Sequence, residues 1–223
     1  KHATDDAAAP KGTGERADAI EYVNNVLIPA NKYKGNQLPV STFVKMADGT
    51  VPAGTSAYEK RGIAIDIPEW NPQNCIQCNF CSYVCPHAVI RPAIMTEEEA
   101  AAAPKSLKMK DMTGMPGKKF AMTISAYDCT GCGNCAAVCP GMKGEKALVM
   151  KPMETQLVSQ EGSNYARTLS EKPEVAEKFK ETSVKGSQFK QPLLEFSGAC
   201  AGCGETPYAK LVTQLFGDRM YIA

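Results

Sequence analysis

The chain has 223 residues, 43% of them apolar and 22% charged, with 25 Lys plus Arg against 24 Asp plus Glu for a net charge of +1. That is enough apolar material for one large or two modest cores, and a balance this even provides no overall field to recruit nucleic acid or an anionic membrane. No apolar run approaches the ~18 to 20 residues of a membrane span and no signal-peptide pattern opens the chain, so a soluble, cytoplasmic protein with no nucleic-acid or membrane partner is expected. The sequence starts at Lys1 rather than Met and stops at Arg219-Met220-Tyr221-Ile222-Ala223, which reads as the start of a buried strand; a piece of a longer polypeptide is expected.

Residues 1–16 are rich in Ala, Gly, Asp, Lys and Thr and read as a mobile lead-in. Ile20, Val23, Val26 and Leu27 recur at helical spacing and predict a helix over 17–28 that Pro29 stops. Between Asn31 and Arg61 the clusters Lys34-Gly35-Asn36, Asp48-Gly49-Thr50 and Pro52-Ala53-Gly54 predict turns joining short strands, so 1–62 is a loop-rich arm.

The centre, 63–152, reads as a repeat. Ile63, Ile65 and Ile67 alternate, four cysteines follow, and Ala88 to Pro92 closes the unit; then Phe120, Met122 and Ile124 alternate, four more cysteines follow, and Ala147 to Pro152 closes the second. Each copy predicts strand, cysteine loop, short helix, strand. Between them Thr96-Glu97-Glu98-Glu99 is a capping box ahead of Ala100 to Ala103, with Pro104 as its stop. The loop from Lys105 to Lys119 then carries Lys105, Lys108, Lys110, Lys118 and Lys119 against Asp111, a local charge of +4. It reads either as a solvated insert or as a docking surface for an acidic electron acceptor.

Residues 153–192 are polar and read as a linker, with a helix predicted from Ser170 to Lys180 and a Glu174–Lys178 pair on it. From 193 onward Thr206 is a candidate N-cap, Pro207 a first-turn residue, Tyr208, Leu211, Val212 and Leu215 one apolar stripe, and Gly217 a C-cap.

Cys75, Cys78, Cys81, Cys85-Pro86 and Cys129, Cys132, Cys135, Cys139-Pro140 each match C-x2-C-x2-C-x3-C-P. Three thiolates two residues apart let a short loop wrap one face of an iron–sulfur cube with its amides toward the sulfides, and the fourth, displaced by a helical turn, points away. Crossed ligation follows: Cys75, Cys78, Cys81 and Cys139 on one 4Fe-4S cluster, and Cys129, Cys132, Cys135 and Cys85 on the other. Disulfides have no secretory context or small core to call for them, and zinc in C-x2-C pairs leaves both middle cysteines and both Cys-Pro steps unexplained. Gly131 and Gly133 allow close backbone approach to the cube, and Phe80, Tyr83, Val84, Ala136 and Val138 either dry its surfaces or simply pack. His87 reads as a solvated loop histidine rather than one touching a cluster edge, since a single His without partners identifies nothing. Cys200-Ala-Gly-Cys203 is open by itself among a redox disulfide, half a zinc site and two ligands of a further cluster, with Glu205 beside it.

Two further segments carry a resemblance. Ala57-Tyr58-Glu59-Lys60-Arg61-Gly62-Ile63-Ala64, and Glu195-Phe196-Ser197-Gly198-Ala199-Cys200-Ala201-Gly202-Cys203-Gly204-Glu205-Thr206-Pro207-Tyr208, resemble the segments of pyruvate:ferredoxin oxidoreductase that precede its two-cluster domain and open its thiamine-diphosphate domain. The resemblance implies an α+β fold in which a pseudo-twofold ferredoxin-like repeat is flanked by the arm and by the start of an α/β thiamine-binding domain at 193–223. It also implies that Cys200 and Cys203 are two of four ligands of a third 4Fe-4S cluster, with Glu205 near thiamine diphosphate and its Mg. The full-length enzyme, a homodimer built with the remaining domains of the same polypeptide, would oxidise pyruvate with CoA to acetyl-CoA and CO2 and pass single electrons to ferredoxin or flavodoxin. The competing readings are a dedicated two-cluster electron carrier and an iron–sulfur subunit of another complex such as a hydrogenase; neither needs the segment from Cys200 to Tyr208.

Overall fold

The computed structural model describes residues 17–221, so the lead-in expected over 1–16 lies outside the described residues. The arm begins with helix α1 (Ala17–Tyr22), a π-helical turn over Val23–Leu27, and α2 (Ile28–Asn31). Pro29 does not stop the helix. It occupies the first turn of α2, where its missing N–H costs little, and the widened turn ahead of it lets Ile28 N–H reach back to Val23 O. The short strands expected between Asn31 and Arg61 are 3-10 turns instead, at Gly35–Gln37, Val40–Met46 and Thr55–Tyr58. The Pro and Gly breaks leave short pieces whose backbone groups bond locally instead, as in Gln37 N–H to Lys34 O and Thr42 N–H to Pro39 O.

Those strands are β1 (Asp66–Trp70), β2 (Ile90–Met95), β3 (Lys110–Asp111), β4 (Lys119–Ile124) and β5 (Leu148–Pro152). β1 pairs antiparallel with β5, from Asp66 opposite Pro152 to Trp70 opposite Leu148. β2 pairs antiparallel with β4, from Ile90 opposite Ile124 to Met95 opposite Lys119, and β3 adds to the far edge of β4. Each sheet thus takes one strand from each cysteine unit. Pro68 and Pro92 are tolerated because β1 and β2 each keep one free edge. The first strand starts three residues later than the isoleucine alternation suggests: Ile63 and Ile65 are 65% and 85% exposed, because β5 ends at Pro152 and leaves them no ladder. Ile67, Ile90, Met95, Phe120 and Leu148 are fully buried, with Trp70 edge-on to Phe120 at 6.0 Å between ring centroids.

Between the strands lie α3 (Phe80–Tyr83), α4 (Glu97–Ala102) and α5 (Asn134–Val138). The capping box forms as read: Thr96 Oγ1 accepts from Glu99 N at 3.1 Å, and Glu99 Oε2 from Thr96 N at 2.8 Å. The lysine-rich loop is not a bare cationic patch. Lys108 pairs with Glu69 at 2.8 Å, Lys118 with Glu174 at 2.6 Å and Lys119 with Asp111 at 2.5 Å, while Lys110 donates to the carbonyls of Pro72 and Cys75. Two acids outside the loop, Glu69 and Glu174, thus offset part of its charge, which favours the solvated-insert reading.

The stretch expected to be a linker is folded: α6 (Met153–Gln156), α7 (Ser159–Ala166), α8 (Pro173–Lys178) and α9 (Val184–Ser187). α7 lies on β4, and a Cβ at Gly162 would meet Leu107 Cδ1 at 2.8 Å, so that side chain would have to shift to admit one. α8 is shorter than predicted, since Pro173 starts it and Phe179 is extended. The Glu174–Lys178 pair does not form; Glu174 takes Lys118, and Lys178 donates to Gly114 O. Last comes α10 (Thr206–Phe216), capped by Glu205 rather than Thr206 and ended by Gly217. Its apolar stripe turns inward only in part: Leu211 and Leu215 are half-buried, Tyr208 is 70% exposed and Val212 also faces out, whereas Lys210, Thr213 and Gln214 are buried. The segment beneath offers unpaired backbone groups rather than apolar surface, and the polar side chains satisfy them. Thr213 Oγ1 accepts from Leu193 N at 3.1 Å, and Gln214 Nε2 donates to Lys190 O at 3.0 Å. The strand expected from Arg219 is not seen among the described residues; Gly217–Arg219 is a 3-10 turn and Tyr221 is exposed.

A buried charge cluster ties arm, centre and C-terminal segment together. Lys60 pairs with Asp128 at side-chain exposures of 4% and 2%, and Ser125 Oγ donates to Asp128 at 2.5 Å. Burial pushes the Lys60 ammonium down and the Asp128 carboxyl up, and each charge opposes the other's shift. The Phe196 ring lies 4.4 Å from Lys60 Nζ and 4.7 Å from the Arg167 guanidinium, and Arg167 grips Glu195 at 2.9 and 3.3 Å.

Two outcomes follow. Phe120→Ala should lower unfolding stability in denaturant by about 3–5 kcal/mol, the cost of an unfilled aromatic site. Lys60→Met should cost about 3–5 kcal/mol by stranding Asp128, and the double variant Lys60→Met with Asp128→Leu should recover most of that loss in the same assay.

Candidate metal centre

The two cysteine loops trace the same backbone path with different residues. In the second, Gly131 and Gly133 hold φ of 71° and 78°; in the first, Gln77 and Asn79 stand at the equivalent positions with φ of 59° and 63°. Gln77 N–H points to Cys75 Sγ and Gly131 N–H to Cys129 Sγ, both at 3.4 Å. Left-handed backbone is costly for a residue with a Cβ, and fixed side-chain bonds offset it in the first loop. Gln77 Nε2 donates to Asp111 O at 2.7 Å and its Oε1 accepts from Thr113 N at 2.8 Å, while Asn79 Nδ2 donates to Lys185 O at 2.9 Å. At Gly131 a Cβ would also meet Asp66 O at 3.0 Å, so glycine is required twice over.

Beyond each loop the chain turns into α3 or α5, which bury Cys81 and Cys135 and carry Cys85 and Cys139 away from their own loops. Two small cavities result. One is walled by Cys75, Cys78, Cys81 and Cys139, the other by Cys129, Cys132, Cys135 and Cys85. The electrostatics repeat this grouping. Burial pushes the Cys78 thiol up, with Cys75 and Cys139 adding to the shift; burial drives Cys129 and Cys135 to about 12, with Cys85 and Cys132 contributing. Cys81 is raised well above the usual thiol range by burial, with Cys135 of the other group the next cause, so the two cavities are neighbours.

Four thiols whose mutual proximity opposes ionisation suit a centre that supplies compensating positive charge. Each cavity also has lining residues with a buried polar atom lacking a partner: Trp70 Nε1 in the first, His87 Nε2 and Thr130 Oγ1 in the second. Among the described residues no three His, Cys, Asp or Glu side chains converge as a single ion requires. Zn–S bonds of about 2.3 Å draw four sulfurs much closer together than walls set around a cavity. The donor sets therefore fit a four-thiolate iron–sulfur cube.

The remaining residues fall as follows. Cys200 is exposed, and Cys203 is held below the usual thiol range by the backbone N–H groups of Thr206 and Glu205. Gly202 lies against the second cavity's wall, its Cβ direction 3.4 Å from Cys132 Cβ. Glu205 is exposed at the start of α10 and makes no side-chain cap. His87 is not a solvated loop residue: it is 2% exposed, with Nδ1 3.0 Å from Ser197 O. The strand pairing that seals the cavities also closes over it. Phe80 and Val138 face outward, and Trp70, Met122 and Leu148 line the first cavity in their place. Aligning the two cysteine loops position by position could have found Gln77 and Asn79. Lys210, whose Nζ donates to the carbonyls of Ser82, Tyr83 and Cys85, carried no sequence signal.

Residues 74–142 match the family described as a 4Fe-4S dicluster domain, and residues 9–64 match EKR, described as a domain of unknown function. The chain is 55% identical to the pyruvate:ferredoxin oxidoreductase of Moorella thermoacetica, covering 99% of this chain and 18% of that protein. It is 52% identical to the pyruvate-flavodoxin oxidoreductase of Enterobacter agglomerans, over 100% of this chain and 18% of that protein. It is 47% identical to the mitochondrial pyruvate dehydrogenase [NADP(+)] of Euglena gracilis, over 92% and 11%. The chain is thus homologous, along nearly its entire length, to one segment of the pyruvate:ferredoxin and pyruvate-flavodoxin oxidoreductases, the segment that contains a 4Fe-4S dicluster domain.

Proposed function

We propose that this chain is the electron-transfer section of an enzyme that oxidises pyruvate with CoA to acetyl-CoA and CO2 and delivers the two electrons one at a time to ferredoxin or flavodoxin. The observation that carries it is the pair of neighbouring cavities, each walled by three cysteines of one quartet and the fourth of the other. Iron–sulfur clusters bound there would accept and release single electrons. The chain's own part is to hold eight thiols, exclude water and set the charge around them.

In this reading 63–152 is a pseudo-twofold, ferredoxin-like unit, 1–62 its arm, 153–192 the connecting segment and 193–223 the start of a thiamine-diphosphate domain. Cys200 and Cys203 serve a third cluster and Glu205 lies near thiamine diphosphate and its Mg. Because Gly202 abuts Cys132 and Asn134, electrons leaving the thiamine side enter the Cys129, Cys132, Cys135, Cys85 site first and the Cys75, Cys78, Cys81, Cys139 site second. A dedicated two-cluster carrier would account for the cavities but would have no use for the Cys200–Cys203 loop laid over one of them. The homodimer belongs to the full-length reading.

Cys85→Ala should remove the cluster of the Cys129 loop and Cys139→Ala that of the Cys75 loop, read by iron content and EPR of the remaining centre. Loss of each quartet's own cluster instead would sink crossed ligation. Removing iron should also abolish cooperative unfolding of 66–152, since buried thiols around empty space give the two small sheets little to pack on; an iron-free chain with native NMR dispersion would contradict this. In stopped flow, the dithionite-reduced, iron-loaded chain should reduce ferredoxin or flavodoxin, and inertness toward both would remove the acceptor assignment.

A further inference from the structure

Lys210 lies on α10, one turn beyond the Cys200–Cys203 loop, yet its side chain runs inward and the residue is only 1% exposed. Its Nζ donates to Ser82 O, to Tyr83 O at 3.2 Å and to Cys85 O at 3.1 Å. They cluster at the C-terminal end of α3, where Ser82 O also accepts from Cys85 N at 3.3 Å and the carbonyls of Tyr83 and Cys85 lie beyond the helical ladder. They lie on the one turn that carries Cys81 toward the first cavity and Cys85 toward the second. All three partners are oxygens that only accept. An ammonium has three N–H groups and a neutral amine two, so the partner set matches the charged form.

Burial lowers the Lys210 ammonium to about 8, the thiols of Cys85 and Cys81 favour the charged form and Arg91 opposes it, and the three carbonyl acceptors are what match the ammonium. Arg91 is itself paired with Glu195 at 3.6 Å, whereas the acceptors of Lys210 are neutral. Its positive charge is therefore not cancelled locally. Adding an electron to either centre makes that centre more negative, and a cation held in a poorly screened interior lowers the energy of the reduced form. Reduction potentials of iron–sulfur centres follow the net charge and hydrogen bonding around them.

We propose that Lys210 is a positioning residue that fixes the turn between Cys81 and Cys85 and whose charge raises the reduction potential of both centres. Docking of the C-terminal helix thereby sets the driving force of the electron-transfer section. The proposal rests on the reading of the two cavities as 4Fe-4S sites. That reading is tested separately by the unsubstituted chain, which should hold about eight irons in those sites by the eight-cysteine pattern.

The experiment compares the iron-loaded chain with Lys210→Gln, which keeps two donors but no charge, Lys210→Arg, which keeps the charge, and Lys210→Met, which keeps neither. Midpoint potentials come from EPR-monitored redox titration, with iron content measured on each sample. Both potentials should fall in Lys210→Gln and Lys210→Met and stay near the unsubstituted values in Lys210→Arg. Iron loss in Lys210→Gln with retention in Lys210→Arg would support the same role, since the charge would then be needed even to hold the centres. Unchanged potentials in an iron-replete Lys210→Gln would overturn the proposal. So would equal iron loss in Lys210→Gln and Lys210→Arg, which would reduce Lys210 to a packing role.

Discussion

The rest of the structure depends on the exchange between the two cysteine units. β1 of the first pairs with β5 of the second, and β2 of the first with β4 of the second, so neither unit closes a sheet with its own strands. The same exchange carries Cys139 to the first loop and Cys85 to the second. Strand pairing and cavity formation are one event. A slip in either ladder would turn side chains to the wrong face and pull a thiol out of its group, because side chains alternate with a period of two along a strand.

Around this centre the connections are polar to an unusual degree. Lys60, Asp128, Gln160, Gln188, Lys210 and Gln214 are all buried and engaged, and they join segments far apart in the chain. The physical reason is the shortage of long regular elements. A chain made of short strands and of helices that, α10 apart, run four to eight residues exposes many backbone groups, and each buried one needs a partner. Long polar side chains reach those groups where a helix or sheet cannot. Such contacts hold only in one arrangement, since a partly satisfied buried network is costly.

The two loops solve one backbone problem in two ways. Glycine gives Gly131 and Gly133 their left-handed conformation without a Cβ penalty, and at Gly131 it also makes room for Asp66. Gln77 and Asn79 adopt the same conformation and are fixed by bonds to Asp111, Thr113 and Lys185. The first loop is thereby tied to the insert and to the segment after the repeat, whereas the second is more self-contained. Lys110, donating to Pro72 and Cys75, strengthens the same tie.

By itself the sequence determined what local chemistry dictates. The cysteine spacing pointed to the class of centre and to the exchange of the fourth cysteine that the two cavity walls show, the alternating Phe120, Met122 and Ile124 located β4, the run closing the second unit located β5, and Thr96 with Glu99 formed the capping box as written. Only the tertiary structure decided features that depend on which surface lies opposite. The isoleucines at 63 and 65 lack a ladder, the polar stretch after Pro152 packs on β4, the lysines of the insert meet their acids, and His87 is enclosed. The face of α10 that turns inward is the clearest case. Its apolar stripe predicted one side, but Lys210 turns inward to donate to the carbonyls of Ser82, Tyr83 and Cys85, and leaving a buried carbonyl unpaired costs more than exposing a tyrosine.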